Sequence, residues 1–148
     1  MKKIFISTTS FAGFSKEPLE LLEKNNLQIG LNTEGRKLAL DEISIILRKY
    51  DAVIAGTELY TKEVLEQLPN LKVISRLGVG MDNIDINVAK QKGIKVYKTQ
   101  TTPALAVAEL VLGFMLDLAR KISYQNNILK SNIWKQEMGN LLHGNTLG

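Results

Sequence analysis

The sequence predicts an α/β fold in which a doubly wound parallel sheet of five strands is followed by a long apolar helix. Strand-like apolar runs with helical patterns between them begin near five positions: Lys3, Leu27, Asp51, Lys72 and Ile94. The starts are 24, 24, 21 and 22 residues apart, which is the length of one strand-helix unit. Strands that alternate with helices favour a parallel sheet covered by helices on both faces.

The first two strand-helix units follow this spacing. Residues 18–23 open a helix in which Leu19, Leu21 and Leu22 are available to the sheet. Residues 27–31 alternate between apolar and polar side chains, as a half-buried edge strand does. The second helix is indicated by apolar side chains at helical spacing, namely Leu38, Leu40, Ile43, Ile46 and Leu47.

The third and fourth strands are predicted at residues 51–55 and 72–76. Thr61 is suited to cap the helix between them, because its hydroxyl can accept a hydrogen bond from a free backbone N–H group. Gly93 is placed to end the following helix, and the fifth strand is predicted at residues 94–97.

A Gly-Val-Gly turn at residues 78–80 joins the fourth strand to its helix, which Asp82 or Asn83 can cap. Glycine permits backbone angles closed to other residues, and a helix N-terminus attracts anions, so this turn could bind a carboxylate or phosphate. Two glycines also suit any tight strand-to-helix turn, which leaves a purely structural role open.

The pattern changes after the fifth strand. Thr102 and Pro103 suit the N-cap and first position of a helix, and residues 104–116 are apolar on almost every face. Such a helix must be covered, either within a larger protein or by another subunit. We therefore expect the α/β region to end near residue 102 and a helical region to follow at 103–148.

The composition excludes several classes of protein. The 148 residues include no cysteine, so disulfides and thiolate metal sites are impossible. The net charge of +4 comes from scattered lysines, so we expect no nucleic-acid partner. The apolar run at 104–116 is shorter than the ~20 residues of a membrane span, and residues 4–6 are too short for a signal-peptide core. We expect a cytoplasmic protein with no membrane partner.

Three loops are expected to line one edge of the sheet, because ligands of such folds bind at the carboxyl ends of the strands. They are residues 7–10, which are all Ser or Thr, residues 56–58 and residues 78–80. The hydroxyl run has a structural alternative, in which it hydrogen-bonds its own backbone. His143 is the single histidine, and no acid at a suitable spacing orients it, so we assign it no catalytic role.

One combination of motifs is more specific than its parts. It runs from Arg76-Leu-Gly-Val-Gly-Met-Asp-Asn-Ile-Asp85 through Gly93-Ile-Lys-Val96, Ala106-Val-Ala-Glu-Leu110 and Trp134 to Gly144-Asn-Thr-Leu-Gly148. This combination resembles the N-terminal part of the D-isomer-specific 2-hydroxyacid dehydrogenases, in particular their phosphoglycerate dehydrogenase-like members. The resemblance implies a flavodoxin-like substrate-binding domain at residues 1–102, followed at 103–148 by a crossover helix and a lead-in to a Rossmann NAD domain.

The resemblance also implies roles for individual residues. The backbone at Leu77, Gly78, Val79 and Gly80 would bind the carboxylate of a 2-hydroxy or 2-keto acid, with 3-phosphoglycerate one candidate. Val79, Val107 and Ala108 would border the NAD cofactor. The family's catalytic arginine, glutamate and histidine follow in segments beyond this sequence, so we assign no catalytic residue and expect the chain alone to be inactive. The family's habit further implies a homodimer.

Two departures from the family pattern leave the substrate open. Ala55-Gly-Thr-Glu58 stands where phosphoglycerate-oxidising members often carry a basic residue, and Pro103 replaces a common asparagine. The alternative from another class is a non-catalytic flavodoxin-like regulatory or ligand-binding module. A phosphoacceptor module of that kind needs acidic residues after the first and third strands, where this sequence has residues 7–10 and 56–58. A non-catalytic, NAD-sensing member of the same family also stays open.

Overall fold

A computed structural model describes residues 1–148, which form two compact units, Met1–Thr101 and Thr102–Gly148. The first unit holds a five-stranded parallel sheet in the order β2-β1-β3-β4-β5. Its strands are β1 (Lys3–Ile6), β2 (Gln28–Leu31), β3 (Ala52–Ala55), β4 (Val73–Arg76) and β5 (Lys95–Lys98). Its helices are α1 (Glu17–Lys24), α2 (Leu40–Leu47), α3 (Lys62–Glu66) and α4 (Ile86–Gln91). The predicted doubly wound α/β fold is confirmed.

The strand order creates a crevice between β1 and β3. The chain first winds outward from β1 to β2 and then returns to the other side of β1, so β1 pairs in parallel with both β2 and β3. In open α/β sheets, ligands bind outside the carboxyl ends of the strands at such a reversal. The fold therefore places its ligand crevice beyond Ile6 and Ala55, where β1 and β3 end.

The core of the first unit packs apolar strand residues against three of the helices. Phe5, Val53 and Ile74 are buried in the sheet, and Ile43 and Leu65 are buried on the helices that cover it. Burial of each such side chain contributes about 1.5–3 kcal/mol, which fixes the sheet and therefore the positions of the loops at its edge.

Helix α1 packs less closely than predicted. None of its residues is buried, and Leu21 is 62% exposed. The expectation that Leu19, Leu21 and Leu22 all face the sheet was wrong for Leu21. Successive helical residues are rotated by about 100°, so Leu21 points away from the face that Leu19 and Leu22 share.

The caps of three helices also differ from the prediction. Thr61 occupies the N-cap position of α3, but its side chain makes no capping hydrogen bond. Helix α4 is capped by Asp85, whose carboxylate accepts a hydrogen bond from the Val88 N–H group at 3.0 Å, and not by Asp82 or Asn83. Pro103 occupies the N-cap position of the next helix, which begins one residue later at Ala104. Gly93 adopts a positive φ of 72° after α4, as its predicted role at the helix end requires.

The second unit consists of α5 (Ala104–Arg120), α6 (Ile122–Lys130) and an irregular C-terminal segment. Lys121 joins the helices in a left-handed conformation, and the Asp117 carboxylate accepts hydrogen bonds from the Ser123 N–H and hydroxyl groups. No residue of α5 is buried, so its apolar side chains are exposed within this chain. Neither of these helices, nor any other in the chain, has the length and hydropathy needed to span a membrane.

Replacement of Asp85 by alanine is predicted to destabilise the protein by about 1 kcal/mol, because the N-terminus of α4 loses its side-chain cap. Chemical denaturation of D85A would measure the loss. Asp82→Ala is the matched control, since it removes the same carboxylate from a position that caps no helix. Equal destabilisation by the two substitutions would contradict the assignment of the cap.

Candidate ligand-binding cleft

A polar cleft of about 330 Å³ opens at the carboxyl ends of the strands. It is lined by the three predicted loops and by a fourth segment from the β2–α2 connection. The lining residues are Ser7, Thr8, Thr9, Ser10, Arg36, Lys37, Gly56, Thr57, Glu58, Arg76, Leu77 and Gly78. All of them belong to the first unit, so the fold brings together side chains that are up to 71 residues apart in the sequence, from Ser7 to Gly78.

Two of the four backbone N–H groups in the turn after β4 donate hydrogen bonds within the chain. The Leu77 N–H group donates to the Ala55 carbonyl at 2.9 Å, and the Gly78 N–H group donates to Arg76 O at 3.0 Å and Thr99 Oγ1 at 3.1 Å. The N–H groups of Val79 and Gly80 have no partner in the chain. Of the four backbone positions predicted to bind a carboxylate, these two therefore offer free donors, just beyond the lining residues Leu77 and Gly78.

Arg76 folds back over this turn. Gly78 has a φ of +146°, and a Cβ atom added there would clash with Arg76 Nη1. The same Nη1 donates to the Leu77 carbonyl. The absence of a side chain at Gly78 thus leaves room for a guanidinium group, which places positive charge over the turn.

Asn83 connects the turn to the neighbouring loop. Its Nδ2 donates to the Glu58 carbonyl at 2.6 Å and to the Gly56 carbonyl at 3.2 Å, and its Oδ1 accepts from Arg76 Nε at 3.4 Å. Both Nδ2 and Oδ1 of the Asn83 side chain are engaged in these hydrogen bonds, so Asn83 does not cap α4. It instead holds Arg76 close to the loop that follows β3.

The floor of the cleft is a buried network of Ser7, Glu58 and Tyr60, which are at most 2% exposed. Ser7 Oγ and the Gly56 N–H group each donate to Glu58 Oε2 at 2.9 Å. The Ser7 and Tyr60 hydroxyls lie 3.3 Å apart. Burial raises the pKa of Tyr60, which keeps its phenol neutral and able to donate.

The hydroxyl run at residues 7–10 divides into two parts. Ser7 is fully buried and belongs to the floor, where its hydroxyl bonds Glu58 and the Ile54 carbonyl and not the backbone of its own loop. Thr8 and Ser10 line the cleft, and their hydroxyl oxygens lie 3.0 Å apart. A ligand entering the cleft would therefore meet the hydroxyl groups of residues 8–10.

Arg36 and Lys37 are cleft residues that the sequence did not reveal. Arg36 donates to both Glu42 carboxylate oxygens, at 2.8 and 2.7 Å. Hydrogen bonds from Arg36 and from the Ala39 N–H group lower the pKa of Glu42 to about 2, so the pair stays charged near neutral pH. The signal that could have found them is the strand order, which places the loop after β2 at the same edge as the loop after β1.

The remaining candidate residues lie in the second unit. Val107 and Ala108 are exposed on the first turns of α5, and His143 is exposed in the C-terminal segment. The structure does not group three or more His, Cys, Asp or Glu side chains in a way that could hold a metal ion. The cleft is thus the site that combines backbone donors, hydroxyls and both signs of charge.

Comparisons with known proteins fit this geometry. Hydroxypyruvate reductase from Thermotoga maritima is 38% identical over 135 residues, which are 86% of this chain and 44% of that protein. D-3-phosphoglycerate dehydrogenase from Methanocaldococcus jannaschii is 39% identical over 137 residues, or 90% of this chain and 25% of that protein. The crystal structure of NAD⁺-bound 3-phosphoglycerate dehydrogenase from Entamoeba histolytica superposes with a TM-score of 0.70 at 27% identity, covering 95% of this chain and 43% of that one.

The chain thus spans less than half the length of each of these relatives. The family model for the catalytic domain of D-isomer specific 2-hydroxyacid dehydrogenases matches residues 6–146, which is nearly the whole chain. This protein therefore belongs to the D-isomer specific 2-hydroxyacid dehydrogenase family.

Proposed function

We propose that this chain is the substrate-binding part of an NAD-dependent oxidoreductase that interconverts a D-2-hydroxy acid and its 2-keto acid. The observation that carries the proposal is the polar cleft at the reversal of strand order, together with the two free N–H groups of the adjoining turn that Arg76 covers. Membership of the family supplies the reaction class.

The cleft suits an acid because its donors are fixed before a ligand arrives. A carboxylate at the turn would accept hydrogen bonds from the Val79 and Gly80 N–H groups and lie beside the Arg76 guanidinium. Charge-assisted hydrogen bonds of this kind are roughly twice as strong as neutral ones. Asn83 restricts the motion of Arg76, so less side-chain entropy is lost when the acid binds.

The relatives support more than one substrate. One acts as a hydroxypyruvate reductase and another as a D-3-phosphoglycerate dehydrogenase. Lys37 and Arg76 give the cleft positive charge that would suit 3-phosphoglycerate, while the charge of Arg36 is balanced by Glu42. The buried Glu58 carboxylate opposes that charge, and the relatives alone leave the group at C3 of the acid open.

NAD is the proposed cofactor, and it would accept or supply the hydride when bound. Val79, Val107 and Ala108 are the residues of this chain proposed to border it. Their side chains are apolar, and Val107 is 51% exposed, so they fit the flat nicotinamide ring but offer no polar group to ribose or phosphate. Most of the NAD site would then belong to a Rossmann domain following residues 103–148, with residues 1–102 as the substrate-binding domain. A cytoplasmic location stays a prediction.

The alternative function, that of a non-catalytic regulatory module, is less well supported by the cleft. A phosphoacceptor site needs free carboxylates at the ends of β1 and β3. Glu58 is the single acid among the cleft residues, and its Oε2 already accepts hydrogen bonds from Ser7 and Gly56. This arrangement favours binding of a small acid over metal-assisted phosphorylation.

Turnover measurements test the proposal that this chain binds the substrate and needs a further domain for activity. The 148-residue chain with NADH and a panel of 2-keto acids is expected to show no oxidation of NADH at 340 nm. A hybrid in which this chain replaces the matching segment of the Thermotoga maritima hydroxypyruvate reductase is expected to oxidise NADH, with the unmodified relative as the positive control. Turnover by the isolated chain, or a folded hybrid that binds NADH and stays inactive, would contradict the proposal.

Gly78→Ala is expected to weaken ligand binding as well as stability. The new Cβ would clash with Arg76 Nη1, in a backbone conformation that costs a non-glycine residue about 1–3 kcal/mol. Gly93→Ala is the matched control, because Gly93 also has a positive φ, of 72°, but has nothing within 4 Å of the added Cβ. Both variants should lose stability, and G78A alone should bind a 2-hydroxy acid more weakly than the wild type. If G78A and G93A bound the 2-hydroxy acid with equal affinity, the assignment of the Gly78 turn to ligand binding would be contradicted.

We also propose a homodimer that buries the exposed apolar surface of α5. Leu105 and Leu118 are 76% and 80% exposed, and surfaces of this kind commonly mark interfaces. Light scattering coupled to size-exclusion chromatography should give twice the 16.5 kDa mass of the chain. The double variant Leu105→Glu, Leu118→Glu should be monomeric, while Ile45→Glu on α2 should remain dimeric. A monomeric wild type at every concentration would refute the dimer.

A further inference from the structure

Glu58 is a buried acid in the wall of a cleft that is otherwise lined by basic, hydroxyl and backbone groups. It is 2% exposed, and none of the five salt bridges of the chain includes it. Removing a carboxylate from water is costly unless hydrogen bonds or a cation compensate. The hydrogen-bond partners of Glu58 therefore indicate which of its acceptor positions a ligand could still fill.

Those partners satisfy one side of the carboxylate. Ser7 Oγ and the Gly56 N–H group both donate to Oε2, each at 2.9 Å, and no hydrogen bond from the chain reaches Oε1. An ionised carboxylate has about four acceptor sites. Glu58 thus retains unused acceptor capacity while it lines the cleft.

The loop that carries Glu58 is held rigidly. Asn83 Nδ2 donates to the Glu58 carbonyl at 2.6 Å, and Ser7 fixes the side chain from β1. A Cβ atom added at Gly56 would lie 2.9 Å from Thr8 Cβ and 3.0 Å from Glu58 Oε2, so the loop is closely packed. The carboxylate cannot easily turn away from a ligand that meets it unfavourably.

The same geometry places this acid near the proposed carboxylate site. One side chain, Asn83, bonds both Arg76 Nε and the Glu58 backbone. Glu58 and Gly78 also line the same cleft, so an acid bound at the turn would lie in the cleft that Glu58 lines.

We propose that Glu58 is a specificity-determining residue that accepts a hydrogen bond from a hydroxyl group at C3 of the bound acid and rejects a phosphate there. This inference rests on the proposed function and refines its substrate class. A hydroxyl donates into the unused acceptor capacity of Glu58. A phosphate offers only acceptor oxygens and negative charge, and like charges repel strongly where water is excluded. Arg36 and Lys37 then contribute to attraction of the acid and not to recognition of a phosphate.

Three stable acids that differ only at C3 test the proposal. They are D-lactate with a methyl group, D-glycerate with a hydroxymethyl group and D-3-phosphoglycerate with a phosphate ester. Dissociation constants come from NMR titrations of the ¹⁵N-labelled chain at one ionic strength, because salt screens charge. D-glycerate is expected to bind about tenfold more tightly than D-lactate, the effect of one hydrogen bond to a charged acceptor, and more tightly than D-3-phosphoglycerate.

The variant Glu58→Gln tests the residue itself. The amide oxygen can replace Oε2 as the acceptor for Ser7 and Gly56, and the amide nitrogen then adds a donor in place of the free acceptor. The preference for D-glycerate over D-3-phosphoglycerate is expected to fall about tenfold or to reverse. Glu66→Gln is the matched control, because it removes an equal charge from an exposed residue of α3 outside the cleft and should leave all three affinities unchanged.

The outcomes separate this inference from the proposed function. Binding of all three acids in the cleft with D-3-phosphoglycerate preferred, or an unchanged preference in folded E58Q, would overturn the role of Glu58 and leave the proposed function standing. If E58Q does not fold, the wild-type order of the three acids decides the question alone. If none of the acids shifts a cleft resonance, the proposed function and this inference both fail.

Discussion

The pair of hydrogen bonds that Glu58 Oε2 accepts from Ser7 and Gly56 determines the shape of the cleft. It ties the end of β1 to the loop after β3 at the place where the strand order reverses. Parallel strands leave a gap at such a reversal because their connections run to opposite sides of the sheet. The Glu58 bonds add to the hydrogen bond that the Ser7 N–H group donates to the Ile54 carbonyl at 3.0 Å, and together these contacts hold the two loops in place.

A second contact extends this order to the neighbouring strand. Asn83 bonds the Gly56 and Glu58 carbonyls and orients Arg76, which in turn occupies the space over Gly78. The loops after β1, β3 and β4 are therefore coupled through polar groups that are largely paired within the protein. Because donors of this kind are already ordered, binding of a small acid would cost little further conformational entropy.

The sequence was sufficient to predict the sheet and the edge at which the ligand cleft lies, because strand spacing and apolar periodicity are local properties. It placed the Gly78 turn correctly, since glycines before a capped helix are a local signal. It could not show that Asp85 caps α4 while Asn83 serves the cleft, because both residues can cap a helix. The choice depends on the loop after β3, which lies some 25 residues earlier in the chain.

The same limit applies to the charged residues of the cleft. Nothing local distinguishes Arg36 and Lys37 from surface residues, and strand order alone brings them beside residues 7–10. Burial of Glu58 also depends on contacts with β1 that are about 50 residues distant. No residue of α5 is buried within the chain, and the expectation that another surface covers this helix stays a prediction.

A crystal structure of the chain with D-glycerate bound would test the central claim most directly. The account places the carboxylate of the acid within hydrogen-bonding distance of the Val79 and Gly80 N–H groups, beside Arg76. A carboxylate bound elsewhere in the first unit, or in the second unit near Trp134, would contradict the account.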